Sequence, residues 1–304
     1  MERPLQGFTP GVYPYYNPRS PNPENLTKKI PQAPPLGQGI KKPYSIFMIG
    51  FLLKKTFFDL WDNLFRIALV NLGFILSVAL PILGPTFFKS SPVVGFSILV
   101  VGILWCFIYL SAAALSIKAI SDYGSFGFSD FFHNLRSAWP VGLVLGLFFI
   151  LLTLFAYAAL PFYLSMNSMI GVLAAAVVFW SLVIVFLALQ FFLPIRARLD
   201  TDLRKVIKKS FIVFFDNPGL AIFAAFHNLV IFIISFFLAL LAPGPAGILL
   251  FLDEAFRLRL IKYDWLEAHP DANRRRIPWD ELLVEEQEKT GTRSFKSFIF
   301  PWKD

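Results

Sequence analysis

The sequence predicts an all-α polytopic membrane bundle of six spans, arranged as three hairpins. Each hairpin is entered through an amphipathic elbow helix on the cytoplasmic side. Three observations carry this reading. The 304 residues are 56% apolar and only 16% charged, with a mean hydropathy of +0.62. Soluble domains hold about 25% charged residues. Five runs reach the roughly 20 apolar residues that ~30 Å of hydrocarbon requires. The basic residues between those runs fall almost entirely on one side, the pattern of cytoplasmic loops. This composition excludes a soluble globular enzyme and a wholly disordered chain.

The elements follow in order. Residues 1–43 contain ten of the 22 prolines. Proline at that density blocks helix and sheet ladders, so a disordered cytoplasmic tail is expected. Next, SIFMIGFLLKKTFFDLWDN (residues 45–63) mixes Phe47, Phe51, Phe57, Phe58 and Trp61 with Lys54, Lys55, Asp59 and Asp62. That mixture suits a helix in the membrane interface, rings in lipid and lysines snorkelling outward. The bundle is expected over 44–262, with spans at Leu64–Leu83, Val93–Leu115, Pro140–Leu160, Ile170–Pro194, Pro218–Leu241 and a weaker sixth at Ala246–Ile261. Pro81 and Gly84-Pro85 are expected to end the first span.

The sixth span is chosen by charge. Lys89 is the only basic residue between the first two spans, and 161–169 and 242–245 have none. The opposite side carries Lys54, Lys55, Lys118, Arg136, Arg196, Arg198, Arg204, Lys205, Lys208 and Lys209. Six spans keep Arg257, Arg259, Lys262 and Arg274-Arg275-Arg276 on that same cytoplasmic side, with both termini. Residues 263–304 are polar. IPWDELLVEEQEKTG reads as a short helix, with Pro278 near its start and Gly291 at its end. The aromatic, basic stretch Phe295–Asp304 is expected to return to the membrane surface.

A motif recurs. Lys54-Lys55-Thr56-Phe57-x-x-Leu60-Trp61-Asp62-Asn63 precedes the first span, and Lys208-Lys209-Ser210-Phe211-x-x-Phe214-Phe215-Asp216-Asn217 precedes the fifth. A looser copy, Phe128 to Asn134, precedes the third. Repeats entering from one side are parallel. Asn217 is expected to cap the fifth span, with Pro218 at the first helical position and Pro140 in the same role in the third.

Residues 54–262 resemble the YesL-like family of bacterial integral membrane proteins. The resemblance rests on Trp61-x-Asn63-x(7)-Asn71, on Pro81-x-x-Gly84-Pro85-Thr86, on Phe131, Phe132 and Asn134, and on Phe192-Leu193-Pro194 followed by an Arg/Lys-rich elbow ending Asp216-Asn217-Pro218. Phe87-Phe88-Lys89 depart from the small residues common there. The resemblance implies a multi-pass protein of the bacterial inner (cytoplasmic) membrane. It also implies an accessory role beside carbohydrate uptake genes, with sugar-transporter subunits as partners.

Polar residues inside spans are functional candidates by default. Asn71, Gln190, His227, Asn228, Asp253 and Glu254 form the candidate intramembrane set, each with a structural alternative as a helix-to-helix hydrogen bond or an interfacial group. Arg257 is the expected partner of Asp253 and Glu254 at helical spacing. Lys54, Lys55, Lys208 and Lys209 are candidate contacts for anionic lipid headgroups. Gly142-x-x-x-Gly146 suits close helix approach. No cofactor or metal is expected: Cys106 stands alone, and His133, His227 and His269 lie in separate segments. No enzyme motif and no nucleic-acid-binding face is present in the sequence. Three readings remain: an accessory or scaffold protein, a small-solute or ion transporter built on Asn71, Gln190, His227 and Asp253, and a lipid-binding protein.

Overall fold

The computed structural model describes residues 44–199, 202–274, 277–291 and 293. The proline-rich segment 1–43 and the stretch 295–304 lie outside the described residues, as do Arg275 and Arg276. Among the described residues every regular element is helical: α1 (Tyr44–Asp62), α2 (Leu64–Phe87), α3 (Pro92–Ser121), α4 (Phe128–Ser165), α5 (Met169–Leu189), α6 (Phe192–Arg198), α7 (Leu203–Asp216), α8 (Pro218–Phe237), α9 (Gly244–Ala268), α10 (Trp279–Leu282) and α11 (Val284–Thr290). Five segments are long and apolar enough to cross a membrane: α2, α3, α4, the run Met169–Arg198, and α8. They make the chain a multi-pass membrane protein.

Small residues set the packing of the first three spans. Lipid tails are as apolar as leucine, so close backbone approach and hydrogen bonds must hold such helices together. A Cβ on Gly102 of α3 would sit 2.8 Å from the Pro81 ring of α2. One on Gly142 of α4 would sit 2.8 Å from the Phe107 carbonyl oxygen of α3, and Gly146 packs on Leu104 one turn on. The Gly142-x-x-x-Gly146 pair is therefore the seam between α3 and α4. Polar links join the same three helices: Tyr109 Oη of α3 donates to the Val70 carbonyl of α2 at 2.8 Å and Trp105 Nε1 to Ser77 Oγ of α2 at 3.1 Å, while Asn134 Nδ2 of α4 donates to Ser116 Oγ of α3 at 3.0 Å.

Several expected boundaries move. α2 does not stop at Pro81; it runs through Pro81 and Pro85 to Phe87. Proline is tolerated inside membrane helices where a neighbour packs on the break, as Gly102 does here. The third elbow is not a separate helix. Asp130 Oδ2 accepts the Gly127 N–H at 2.8 Å and starts α4 there, so Pro140 lies well inside α4 instead of opening it. Asn63 and Asn217 do stand at the starts of α2 and α8, but neither side chain caps its helix. Cations and Tyr263 from α9 occupy the Asn217 amide instead.

α9 is unlike the five apolar spans. No residue between Ala246 and Leu260 is exposed, because α1, α2, α3, α6 and α8 surround it. It runs antiparallel to α8, with Gly244 N–H on Ser235 Oγ at one end and Arg259 on Asn217 at the other. It runs parallel to the second half of α3: Ala246 and Leu250 pack beside Tyr109, and Arg257 reaches Ser121. The α8–α9 hairpin therefore turns at the depth of Asn71, and α2 continues past that turn for about 24 Å. α9, the expected sixth span, is not among the five segments long and apolar enough to cross; it is a buried helix running from the Asn71 turn back to the elbow end. The core gathers at that end too. Phe51, Leu52, Phe191, Ile195, Val213, Ala221, Phe251 and Phe256 form its centre.

α1 departs from the interfacial reading for the same reason. Phe51 and Phe58 are buried in protein, while Phe47 and Trp61 remain exposed. The C-terminal segment forms α10 and α11, and Gly291 closes α11 at φ +80°, a conformation that suits glycine.

Candidate functional site

The charged residues of α9 sit inside the protein, so each needs a partner. Glu254 is 1% exposed and accepts from Lys55 Nζ at 3.4 Å and from the Thr56 hydroxyl, both on α1. Lys55, 2% exposed, also pairs with Asp59 one turn on and donates to the Ser121 carbonyl at 3.1 Å. Asp253 takes a two-pronged hydrogen bond from Arg198, whose Nε donates to Oδ1 at 3.0 Å and whose Nη2 donates to Oδ2. Arg198 then extends to Asp122 Oδ1 at 2.9 Å and to Ser121 Oγ at 2.9 Å. A guanidinium fork is the side chain best shaped for such a carboxylate.

A second tier joins the C-terminal helices to this layer. Arg257 pairs with Asp122 at 3.0 Å and with Glu286 of α11 at 2.7 Å. Tyr123 donates to Glu286 Oε2 at 2.8 Å and lies 3.2 Å from Thr290 Oγ1. Burial pushes the Tyr123 hydroxyl far above the usual tyrosine range, with the Glu286 charge adding to the rise, so it remains a donor. Lys55 sits 4.1 Å from the centre of the same ring. Lys54 Nζ donates to the Gly291 carbonyl at 3.1 Å, and Arg293 pairs with Asp62 at 2.8 Å. The first and last described segments are thus tied together at one end of the bundle.

The candidate residues do not meet at one point. Asp253 and Glu254 share the ionic layer. Asn71, fully buried, donates to the carbonyls of Leu241 at 2.9 Å and Pro243 at 2.8 Å, and its Oδ1 accepts the Ala246 N–H at 2.8 Å. It fastens the α8–α9 turn. Gln190 bridges the carbonyls of Leu187 at 2.8 Å and Ala221 at 2.9 Å, joining α5 to α8. His227 stacks on Phe251 with ring centres 3.8 Å apart, and its Nδ1 lies 3.4 Å from Asn228 Oδ1. A void between α3, α4 and α6, lined by Ser111, Leu115, Ala138, Val141, Leu193 and Arg196, is no larger than a water molecule. Among the described residues no group of His, Cys, Asp or Glu is placed to hold a metal ion.

The lysine candidates separate as well. Lys54 and Lys55 are engaged by the protein itself. Lys208 is exposed on α7 and Lys209 is half-buried there. Spacing alone pointed to Arg257 as partner of the α9 acids; Arg198 and Lys55 hold them instead, and Arg257 serves Asp122 and Glu286. Arg198, Ser121, Asp122, Tyr123 and Glu286 were missed by sequence reasoning. No local sequence signal set them apart, because Asp122 is one of several acids in the elbow and loop segments, with Asp59, Asp62, Asp130, Asp202 and Asp216.

Compared with known protein families, curated proteins and solved structures, the chain matches none.

Proposed function

We propose that the chain is a non-enzymatic accessory or scaffold protein of the bacterial cytoplasmic membrane, of the YesL-like kind, that works beside a carbohydrate uptake system. The observation that supports this reading is the use made of the intramembrane polar groups. Each is spent on an internal structural bond, and Asp253 and Glu254 are closed into a layer that joins both ends of the described chain. A solute path needs polar groups that converge on accessible space. The scaffold reading places α1, α9 and α11 in the cytoplasm-facing half. Exposed Arg66, Arg136, Arg204, Lys205 and Lys208 at that end, with Lys89 at the other, support the placement.

The test is affinity purification of the tagged full chain from its native membrane after mild solubilisation, paired with sugar and ion flux assays on proteoliposomes of the protein alone. Sugar-transporter subunits in the eluate and no flux are expected. Flux that disappears in Asn71→Leu or His227→Leu, with folding intact, would overturn the scaffold reading in favour of transport.

A further inference from the structure

The two elbow copies share a sequence pattern and have opposite fates. In the first, Lys55 turns inward onto Asp59 and Glu254, and Lys54 is held by Gly291. The second, α7, packs against the bundle with Val206, Ser210, Val213 and Phe214, one continuous face at helical spacing. Its remaining surface has two strips. One is basic: Arg204 and Lys208, one turn apart, are exposed, and so is Lys205. The other is apolar: Ile207 and Phe215 are 37% and 66% exposed, with the half-buried Phe211 between them packed against the core. Asp202 sits 4.0 Å from Lys205 and bonds the Arg204 N–H, so it belongs to the start of the helix. Asp216, at the far end, is held by Lys262, Tyr263 and Asn217.

We infer that α7 is a lipid-recognition helix, with Arg204, Lys205 and Lys208 gripping the phosphates of anionic phospholipids while Ile207 and Phe215 enter the acyl boundary. A helix with one face on protein, one apolar strip in the open and a row of cations beside it matches the interfacial zone in both polarity and charge. Its surroundings carry the same signature. Trp61, Phe65, Phe128, Phe132 and Trp139 are exposed around the elbow end of the bundle, where interfacial aromatics belong. Arg66 and Arg136 stand among them. The occupant is the bilayer's own anionic lipid: a soluble phosphate would satisfy the cations and leave Ile207 and Phe215 in water. This inference stands independently of the scaffold reading.

The experiment is native mass spectrometry of the purified full chain, equilibrated in mixed micelles with equimolar dioleoylphosphatidylglycerol and dioleoylphosphatidylcholine. The wild type is expected to retain phosphatidylglycerol preferentially. Neutralising each base near an anionic surface is expected to cost up to about fivefold, so Arg204→Gln/Lys205→Gln/Lys208→Gln should abolish the preference. Lys89→Gln, at the other end of the bundle, should leave it intact. Ile207→Gln/Phe215→Gln should weaken retention of both lipids while the anionic preference remains. A monodisperse triple-Gln protein of unchanged melting temperature that still prefers phosphatidylglycerol would overturn the inference. So would phosphatidylglycerol displaced by millimolar inorganic phosphate, or a triple variant that loses a co-purifying protein while its lipid profile stays the same.

Discussion

Glu254 receives Lys55 at 3.4 Å from a position 199 residues earlier in the chain. The pair lies inside protein, and Asp59 completes a lysine shared by two carboxylates. Breaking a buried ion pair from one side is far more damaging than removing both charges, because the survivor keeps its desolvation cost. Lys55→Met strands two acids and is expected to cost about 3–5 kcal/mol. Glu254→Gln leaves Lys55 with Asp59 and should cost clearly less. Thermal unfolding of both variants in one detergent checks the order; equal losses would argue against a shared lysine.

Asn71 satisfies three backbone groups at the α8–α9 turn. Asn71→Leu keeps the branched shape with a somewhat larger volume and removes every one of those bonds. An unsatisfied buried group costs about 1–3 kcal/mol. The loss is expected to be local first, so amide hydrogen exchange at Gly244–Ile248 should accelerate before the melting temperature of the whole bundle falls in proportion.

Two glycines should respond with opposite signs. Gly142 is pressed on the α3 backbone, so Gly142→Val forces α3 and α4 apart, at an expected cost of about 1–3 kcal/mol or more. Gly50 lies within α1 with open space where a Cβ would go. Gly50→Ala should stabilise by about 0.5–1 kcal/mol through reduced backbone entropy of the unfolded chain. Paired melting curves decide both.

Asp216 titrates outside the spans. Burial raises its pKa, but hydrogen bonds and charge from Lys262, with Tyr263 and Asn217, outweigh that and hold it below its ordinary value of 3.8. A carboxylate lowered on folding contributes stability that is fully present above its unfolded pKa and is lost as pH falls through the folded one. The wild type should therefore lose an increment of stability below about pH 4. Asp216→Asn should already lack that increment at pH 7 and show a flatter acid limb in a pH series of melting temperatures.

What the sequence disclosed depends on which interaction shaped each element. The spans were legible because burial in lipid demands length and apolarity, and both are written locally in Leu64–Leu83 or Pro140–Leu160. The Asn71 alternative of a helix-to-helix bond is the one the structure displays. α9 was harder. Its Asp253, Glu254, Arg257 and Arg259 read as a weak span because their partners, Arg198 on α6 and Lys55 on α1, lie far off in sequence and local spacing favours Arg257. α1 misled for the same reason. Its rings and lysines fit an interface as well as they fit a core, and only the presence of α9 decides. Pro81 and Pro140 show the limit of punctuation rules: both lie inside helices, and at Pro81 the neighbouring Gly102 makes room for the ring.

The separation between Lys55 and Glu254 has a consequence for biosynthesis. At ~5–20 residues per second a ribosome takes about 10–40 s to add the intervening stretch. During that interval α1 has been made, its apolar faces lack their cover, and its lysine has only Asp59 nearby. Final docking of the amino-terminal helix must therefore wait until the carboxyl-terminal quarter has emerged. A nascent chain truncated before α9 should accordingly be a target for membrane quality-control proteases, although all five of its apolar spans are already complete.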